Sequence, residues 1–134
     1  MIKADYLLIS RIFVWNIAVN VMLRFWNINR LLQFLKPTKN MKIPYTKQEI
    51  YRLVSYVDFV LNLNNILLKK TCLKRSLVLY RFLRFYNCAV DFKIGVQNNQ
   101  SNSLGHSWLT LNDKVFADSE IKVKDFTLIY NYQN

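Results

Sequence analysis

The strongest constraint on the fold is a change in the spacing of apolar residues near Asn87. Before this residue, apolar side chains recur mostly every three or four positions, the spacing of helices that bury one face. After it, Val90, Phe92, Ile94 and Val96 occupy every second position, which is typical of a half-buried strand. Because the helical segments come first and the strands follow, the sequence predicts the α+β class, with helices packed on an antiparallel sheet.

Two helical segments precede a third helix that carries a cysteine. Residues 4–35 are predicted to be helical, with a break near residues 27–29. A linker is expected over residues 37–44. Thr46 and Glu49 then form the capping box T-x-x-E ahead of a second apolar series, which predicts the start of another helix.

The cysteine-bearing helix is predicted over residues 71–86, with Thr71 as a suitable N-cap. Four consecutive apolar residues, 77–80, leave its middle turn without a polar face, so the helix is expected to be buried. Cys72 lies in the first turn, where the partial positive charge of the helix N-terminus favours the thiolate. The alternative is that Cys72 is simply a small buried apolar residue.

Four strands are predicted after this helix. Asn112 and Asp113 form a turn signal between the second and the third. The polar residues 97–103 are expected to form a surface loop. The strands are predicted at residues 90–96, 104–111, 114–118 and 126–130, with a connection over residues 119–125.

The composition is that of a globular protein of one domain. The chain has 134 residues, of which 52% are hydrophobic, enough to bury a core. The net charge is +11, and residues 1–86 hold fifteen Lys or Arg against three Asp or Glu. This basic part suggests an acidic partner, such as an anionic membrane or an acidic peptide. The basic residues are scattered rather than clustered in a run, so nucleic acid is not favoured.

The two cysteines, Cys72 and Cys88, are expected to be free thiols in a reducing compartment. The predicted helix would hold their Cα atoms on the order of 20 Å apart, whereas a disulfide needs less than about 7 Å. There is no clear signal peptide. The apolar run between Arg11 and Arg24 has only twelve residues, and a membrane-spanning helix needs about 20. We therefore expect a cytoplasmic location.

Cys72, His106 and Asp118 offer the three groups that catalysis by a thiol needs: a nucleophile, a base and an orienting carboxylate. His106 is the one histidine of the chain, and Asp118 ends the next predicted strand of the same hairpin. Zinc held by Cys72, Cys88 and His106 is the rival interpretation. It is disfavoured because the chain has no close cysteine pair such as C-x-x-C, and no metal or other cofactor is expected.

The register of this hairpin decides whether the three side chains can meet. If Asn112-Asp113 is a two-residue turn, Asp118 falls opposite Ser107, and His106 points to the other face of the sheet. A three-residue loop instead places Asp118 opposite Trp108, on the face of His106. The triad therefore needs the three-residue loop or a β-bulge, and the sequence leaves both registers open.

Three spaced motifs connect the chain to a known family. Residues 72–80 read C-L-K-R-S-L-V-L-Y, residues 92–96 read F-K-I-G-V, and residues 106–108 read H-S-W ahead of Asp118. This series resembles the lasso-peptide biosynthesis B proteins in their stand-alone leader peptidase form, which are transglutaminase-like cysteine proteases. Their pattern is roughly C-L-x-R-S-L-x-L, then I-G-V, then H-A-W and an acidic residue. Ser replaces the usual Ala at position 107, and Asn-Asp replaces the frequent Asp-Gly of the turn.

The resemblance covers most of the chain, and it implies a transglutaminase-like or papain-like fold and a leader peptidase. Such an enzyme cuts a ribosomally made precursor between its leader and its core peptide. Cys72 would attack the scissile carbonyl, His106 would act as base and then as acid, and Asp118 would orient it. The backbone N–H of Cys72 is the candidate oxyanion donor. The candidate substrate-binding residues are Trp108, Arg75 and Ser76.

The same resemblance implies partners. The stand-alone form has no leader-binding domain of its own, and we expect no room for one here. A separate leader-recognition protein of the RRE type is therefore expected to deliver the precursor peptide, and a lasso cyclase to use the freed amine. We expect a single domain with a helical docking segment, residues 1–45, and a catalytic core, residues 46–134. Residues 4–35 are expected to contact the leader-recognition protein or the leader, with a membrane surface as the alternative.

Two other functions stay open at this point. A transglutaminase-like acyltransferase would use the same three residues to form a thioester and would pass the acyl group to an amine. A non-catalytic basic module that binds peptides would carry the three residues by coincidence.

Overall fold

The computed structural model describes residues 2–36, 46–63, 71–86, 88–99, 102–116 and 126–132. Within these residues four helices are followed by four strands, which confirms the predicted α+β class. The helices are α1 (Ile2–Phe25), α2 (Ile28–Leu35), α3 (Lys47–Leu63) and α4 (Cys72–Phe85). The strands are β1 (Asp91–Asn99), β2 (Asn102–Leu111), β3 (Lys114–Phe116) and β4 (Thr127–Tyr132). The predicted linker, the connection over residues 119–125 and the end of the predicted third strand lie outside the described residues.

Polar side chains cap the starts of α2 and α3. The side chain of Asn27 accepts a hydrogen bond from the backbone N–H of Arg30 at 2.9 Å, so it caps the start of α2 at the predicted break. The hydroxyl of Thr46 accepts from the N–H of Glu49 at 3.2 Å and begins α3 in the same way. The predicted break near residues 27–29 and the predicted start of α3 are both confirmed.

Helix α4 is the central element of the core. It contacts the other three helices as well as β1 and β2. Leu77, Val78, Leu79 and Tyr80 are all buried, as their consecutive apolar side chains predicted. The ring of Tyr80 packs edge-on against the ring of Phe92 in β1, with the ring centroids 6.5 Å apart. The buried cysteine helix is therefore packed on the sheet, as predicted.

Arg81 ties α4 to the first two helices. Its guanidinium lies over the ring of Trp15 in α1, 4.5 Å from the ring centroid. It also donates a hydrogen bond to the carbonyl oxygen of Leu35, the last residue of α2, at 3.1 Å. Burial lowers the pKa of this guanidinium. One side chain thus links α4 to both α1 and α2.

The four strands form one antiparallel sheet in the order β3-β2-β1-β4. The ladder between β1 and β2 runs from the pair Asp91 and Thr110 to the pair Asn99 and Asn102. The predicted loop over residues 97–103 is therefore wrong for most of its length. Backbone hydrogen bonds extend an antiparallel ladder whatever the side chains are, so strands continue through a polar segment that shows no apolar alternation.

Asn112 and Asp113 form a two-residue turn between β2 and β3. Both have positive φ angles, 53° and 65°, and Leu111 pairs with Lys114 across the turn. Two positive φ angles define the type I′ turn, in which Asn and Asp are among the few residues tolerated besides glycine. The three-residue loop that the sequence left open is therefore wrong.

Helix α1 continues through Arg11, in agreement with the helix predicted over residues 4–35. The segment Tyr6–Phe25 has a mean hydropathy of 1.6 and is long enough to cross a membrane, judged by length and composition alone. The expectation that this segment is too short is therefore wrong. Core helices of soluble proteins and signal sequences satisfy the same criterion, but only 17% of this segment is buried.

Candidate active site

Cys72 is the first residue of α4 and is half-buried. Thr71 has an extended backbone and its hydroxyl accepts a hydrogen bond from the N–H of Lys74 at 3.2 Å, which confirms it as the N-cap. The remaining N–H groups of the first turn give this end of the helix a partial positive charge. The thiol therefore sits where an anion is favoured and where the buried helix comes to the surface.

Two serines join the first turns of α4 to β2. The Ser76 hydroxyl donates a hydrogen bond to the carbonyl oxygen of Ser107 at 3.1 Å, and the Ser107 hydroxyl donates to the Ser76 oxygen at 3.3 Å. Ser76 follows Cys72 by one helical turn and shares its face of the helix. The start of the cysteine helix is thereby fixed against the part of β2 that contains His106.

His106 lies on the face of the sheet opposite α4. The side chain of Ser107 points at α4, and neighbouring residues of a strand point to opposite faces. The His106 ring stacks on Trp108, with the ring centroids 5.9 Å apart and the planes at 18°, and its centroid lies 5.2 Å from that of Phe126. The imidazole is half-buried and is held by two aromatic rings.

Gly95 provides the space for this aromatic cluster. It pairs with His106 across the β1–β2 ladder, and a Cβ atom built on it would lie 2.7 Å from Cη2 of Trp108. Real Cβ atoms do not approach another atom so closely, so the indole occupies the room that a side chain at position 95 would need. This contact gives a physical reason for the glycine of I-G-V to accompany the tryptophan of H-x-W.

The edge of β2 beside His106 is open within the described residues. Strand β3 pairs with β2 only over Leu109 to Leu111 and ends at Phe116. In this register a regular continuation would bring Asp118 opposite Ser107, on the face away from His106. Asp118 lies outside the described residues, so its role stays a prediction. The triad requires the chain to leave the regular ladder after Phe116.

The candidate substrate-binding residues all make internal contacts. Arg75 donates from Nε to Oδ1 of Asp58 in α3 at 2.6 Å and from Nη2 to Oδ2 at 3.2 Å, a bidentate ion pair. Ser76 bonds to β2, and Trp108 is only 5% exposed. These contacts position α4 and the His106 ring. Contact of the three with substrate stays a prediction, as does the oxyanion role of the Cys72 N–H.

A cavity of about 740 Å³ lies at the other end of α4. Phe82, Phe85 and Tyr86 line it from α4, while Leu8 and Arg11 line it from α1. Burial, and secondarily the charge of Glu49, raise the pKa of Tyr86 there. The length of α4 separates this cavity from Cys72 by about 20 Å, so it is not part of the thiol site.

Three residues of the site could not be recognised from the sequence: Phe126, Asp58 and Gly95. Phe126 was predicted only as part of the last strand, although its ring lies against His106. Asp58 lies beside the buried apolar residues of α3 and pairs with Arg75. Gly95 was noted only as part of the I-G-V motif. Pairings over such distances along the chain leave no local signal. A lone acidic residue next to apolar helix positions was the one available sign, since such residues are usually paired.

Neither cysteine forms a disulfide within the described residues, as predicted: both are free, and Cys88 is buried. No group of three His, Cys, Asp or Glu side chains among those residues is close enough to hold a metal ion. The arrangement is therefore a thiol at the start of α4 and an imidazole on the other face of β2, the strand to which Ser76 and Ser107 bond that helix.

The comparison with known families agrees with this architecture. A profile of the transglutaminase-like superfamily matches residues 14–131, from the middle of α1 into β4. No curated protein and no solved structure matches the chain. Since the match extends over most of the chain, the protein belongs to the transglutaminase-like superfamily.

Proposed function

We propose that the protein is a cysteine peptidase that removes the leader from a ribosomally made lasso-peptide precursor. The observation that carries the proposal is the position of Cys72 at the capped start of a buried helix, which Ser76 fixes to the strand segment of His106. Membership of the transglutaminase-like superfamily supports it, because that superfamily includes cysteine peptidases and acyltransferases. The narrower assignment to leader removal rests on the motif resemblance.

The reaction would run through a thioester. The imidazole of His106 takes the thiol proton as the sulfur of Cys72 attacks the scissile carbonyl carbon, and the N–H of Cys72 stabilises the oxyanion. The imidazolium then gives its proton to the nitrogen of the core peptide, which leaves as a free amine. Water hydrolyses the leader thioester with His106 again as base. Asp118 would hold the imidazole in the productive tautomer.

In this proposal the protein works with others in the cytoplasm, where thiols stay reduced. A separate leader-recognition protein of the RRE type delivers the precursor peptide, and a lasso cyclase consumes the freed amine. The net charge of +11 supports an acidic peptide or protein partner.

The test is mass spectrometry of precursor peptide incubated with this protein and its leader-recognition partner. We expect cleavage at the leader–core junction, and loss of cleavage in Cys72→Ala. Cys88→Ala is the matched control, because it removes the other thiol of the chain and should leave cleavage intact. Thermal unfolding of both variants separates loss of chemistry from loss of fold.

The products decide between the proposal and its main rival. Superfamily membership equally allows an acyltransferase, which would yield a leader–amine conjugate in place of hydrolysed leader. Full biological activity of Cys72→Ala would contradict both and favour a non-catalytic peptide-binding module.

Iodoacetamide gives a readout that needs no precursor: it should label Cys72 faster than the buried Cys88.

A further inference from the structure

The outward face of α1 is apolar along almost its whole length. Seven large apolar or aromatic side chains on this face are exposed, at 41% to 78% of their full surface: Tyr6, Leu7, Phe13, Val14, Ile17, Val21 and Phe25. The polar residues exposed on the described side chains of α1 are Ser10, Arg11 and Arg24. An apolar surface that continues over several helical turns on a soluble domain normally contacts something.

The inward face of the same helix belongs to the protein core. Ile12 and Val19 are completely buried, and Asn16 between them is 2% exposed. These residues pack α1 against α3 and α4. Because α1 is part of the folded body along one side, it cannot leave that body to cross a bilayer without opening the core. Whatever binds the outward face of α1 must therefore lie alongside the helix, whose length is about 36 Å.

Positively charged side chains near the outward face of α1 indicate which kind of surface binds it. Arg11 and Arg24 are exposed on α1, and Arg30 and Lys36 are exposed on and just after α2. The guanidinium of Arg30 also lies 4.7 Å from the centroid of the half-buried Trp26 ring, and tryptophan beside a cation is common at the level of lipid headgroups. Apolar side chains bordered by cations complement a bilayer with anionic headgroups.

We propose that α1 docks the protein on an anionic membrane, with the helix axis parallel to the surface. Its exposed apolar side chains enter the boundary between the lipid headgroups and the acyl chains, and its arginines extend to the phosphates of the headgroups. This assignment goes beyond the peptidase function and does not rest on it, since docking requires neither Cys72 nor substrate.

The experiment is co-flotation of the purified full-length chain with lipid vesicles. We expect it to float with vesicles of equal parts phosphatidylcholine and phosphatidylglycerol, and much less with phosphatidylcholine alone. The double variant Val14→Glu/Val21→Glu should lower the membrane partition coefficient by about a hundredfold, because two inserted side chains become acidic. Circular dichroism checks that this variant is folded, and both positions are exposed.

The matched control is Tyr51→Glu/Phe59→Glu, which makes the same charge change at exposed apolar residues of α3. Flotation of this control should stay close to that of the wild type. If both double variants lose binding equally, net charge and not the α1 face is responsible, and the proposal is overturned. It is also overturned if the wild-type chain floats with neither vesicle; co-elution with the leader-recognition protein through the same α1 residues would then identify that protein as the occupant of this face.

Discussion

At the scale of single residues, the turn at Asn112 and Asp113 contains one residue, Asp113, that suits its backbone conformation less well than glycine would. Both residues adopt the left-handed conformation that a type I′ turn demands. Asparagine is well suited to the first position, whereas glycine is preferred at the second because a Cβ atom is unfavourable there. Asp113 therefore carries more local strain than a glycine would.

We expect Asp113→Gly to raise the free energy of unfolding by about 0.5–1 kcal/mol. Urea denaturation of the two proteins measures the difference. Asn112→Gly is the control, and it should gain less because asparagine already suits that position. A loss of stability in Asp113→Gly would mean that the turn differs from the one described.

Gly95 offers a second test at this scale. The Cβ atom of Gly95→Ala would meet the Trp108 indole at 2.7 Å and the Cβ atom of Phe126 at 3.0 Å. Overpacking of this kind costs about 1–3 kcal/mol, and displacement of Trp108 should move the His106 ring and lower activity. Gly105→Ala is the matched control, since its Cβ atom would meet nothing within 4 Å. Equal thermal stability and equal activity of the two variants would contradict the assigned contact.

At the scale of elements, α4 is held at its first turns by bonds to two different neighbours. Ser76 bonds to β2, and Arg75 forms its bidentate pair with Asp58 of α3. Together they fix the direction of the helix axis and thereby the position of the Cys72 thiol. Positioning of this kind affects catalysis more than stability, because small displacements of a nucleophile cost large factors in rate.

We expect Asp58→Asn to lower the free energy of unfolding by only about 0.5–1 kcal/mol, since the carboxylate is partly exposed. It should lower the rate of precursor cleavage by about tenfold, through kcat more than KM. Asp91→Asn on β1 serves as the control for the loss of one negative charge. The positioning role is refuted if both variants cleave the precursor at the wild-type rate.

Local signals made the helix starts predictable, whereas contacts between elements were not. Thr46 and Thr71 cap nearby N–H groups, so three or four residues of sequence contain the whole interaction. The sequences of the polar ends of β1 and β2 have no apolar alternation, yet the backbone ladder continues through them. The register of β3 on β2 follows from the turn between these strands, which the sequence left as two alternatives.

At the scale of the whole molecule, the first 36 residues are part of one core with the rest. Among their described side chains, Ile12 and Val19 of α1 and Leu31, Leu32 and Leu35 of α2 are completely buried. A helix that is apolar on all sides gives no sign in its sequence of which side the core takes. The predicted boundary between a docking segment and a catalytic core therefore does not mark a position at which the chain could be truncated and still fold.

We expect a chain that begins at residue 46 to be unfolded. Five fully buried aliphatic side chains contribute about 10 kcal/mol, which is comparable with the whole stability of a typical domain. Circular dichroism and size-exclusion chromatography measure the outcome. A compact monomer with normal iodoacetamide labelling of Cys72 would show that the first two helices are dispensable.

The contact between Gly95 and Trp108 also limits the order in which this protein can evolve. A larger residue at position 95 is excluded while the indole occupies its place, and a smaller side chain at position 108 would remove the two shortest of these contacts, leaving only the one to the Cβ atom of Phe126 at 3.0 Å. Substitution first at 108 and then at 95 passes through a loosely packed intermediate, whereas the reverse order passes through a clashing one. The two positions should therefore change together among descendants of this sequence, with the tryptophan lost first.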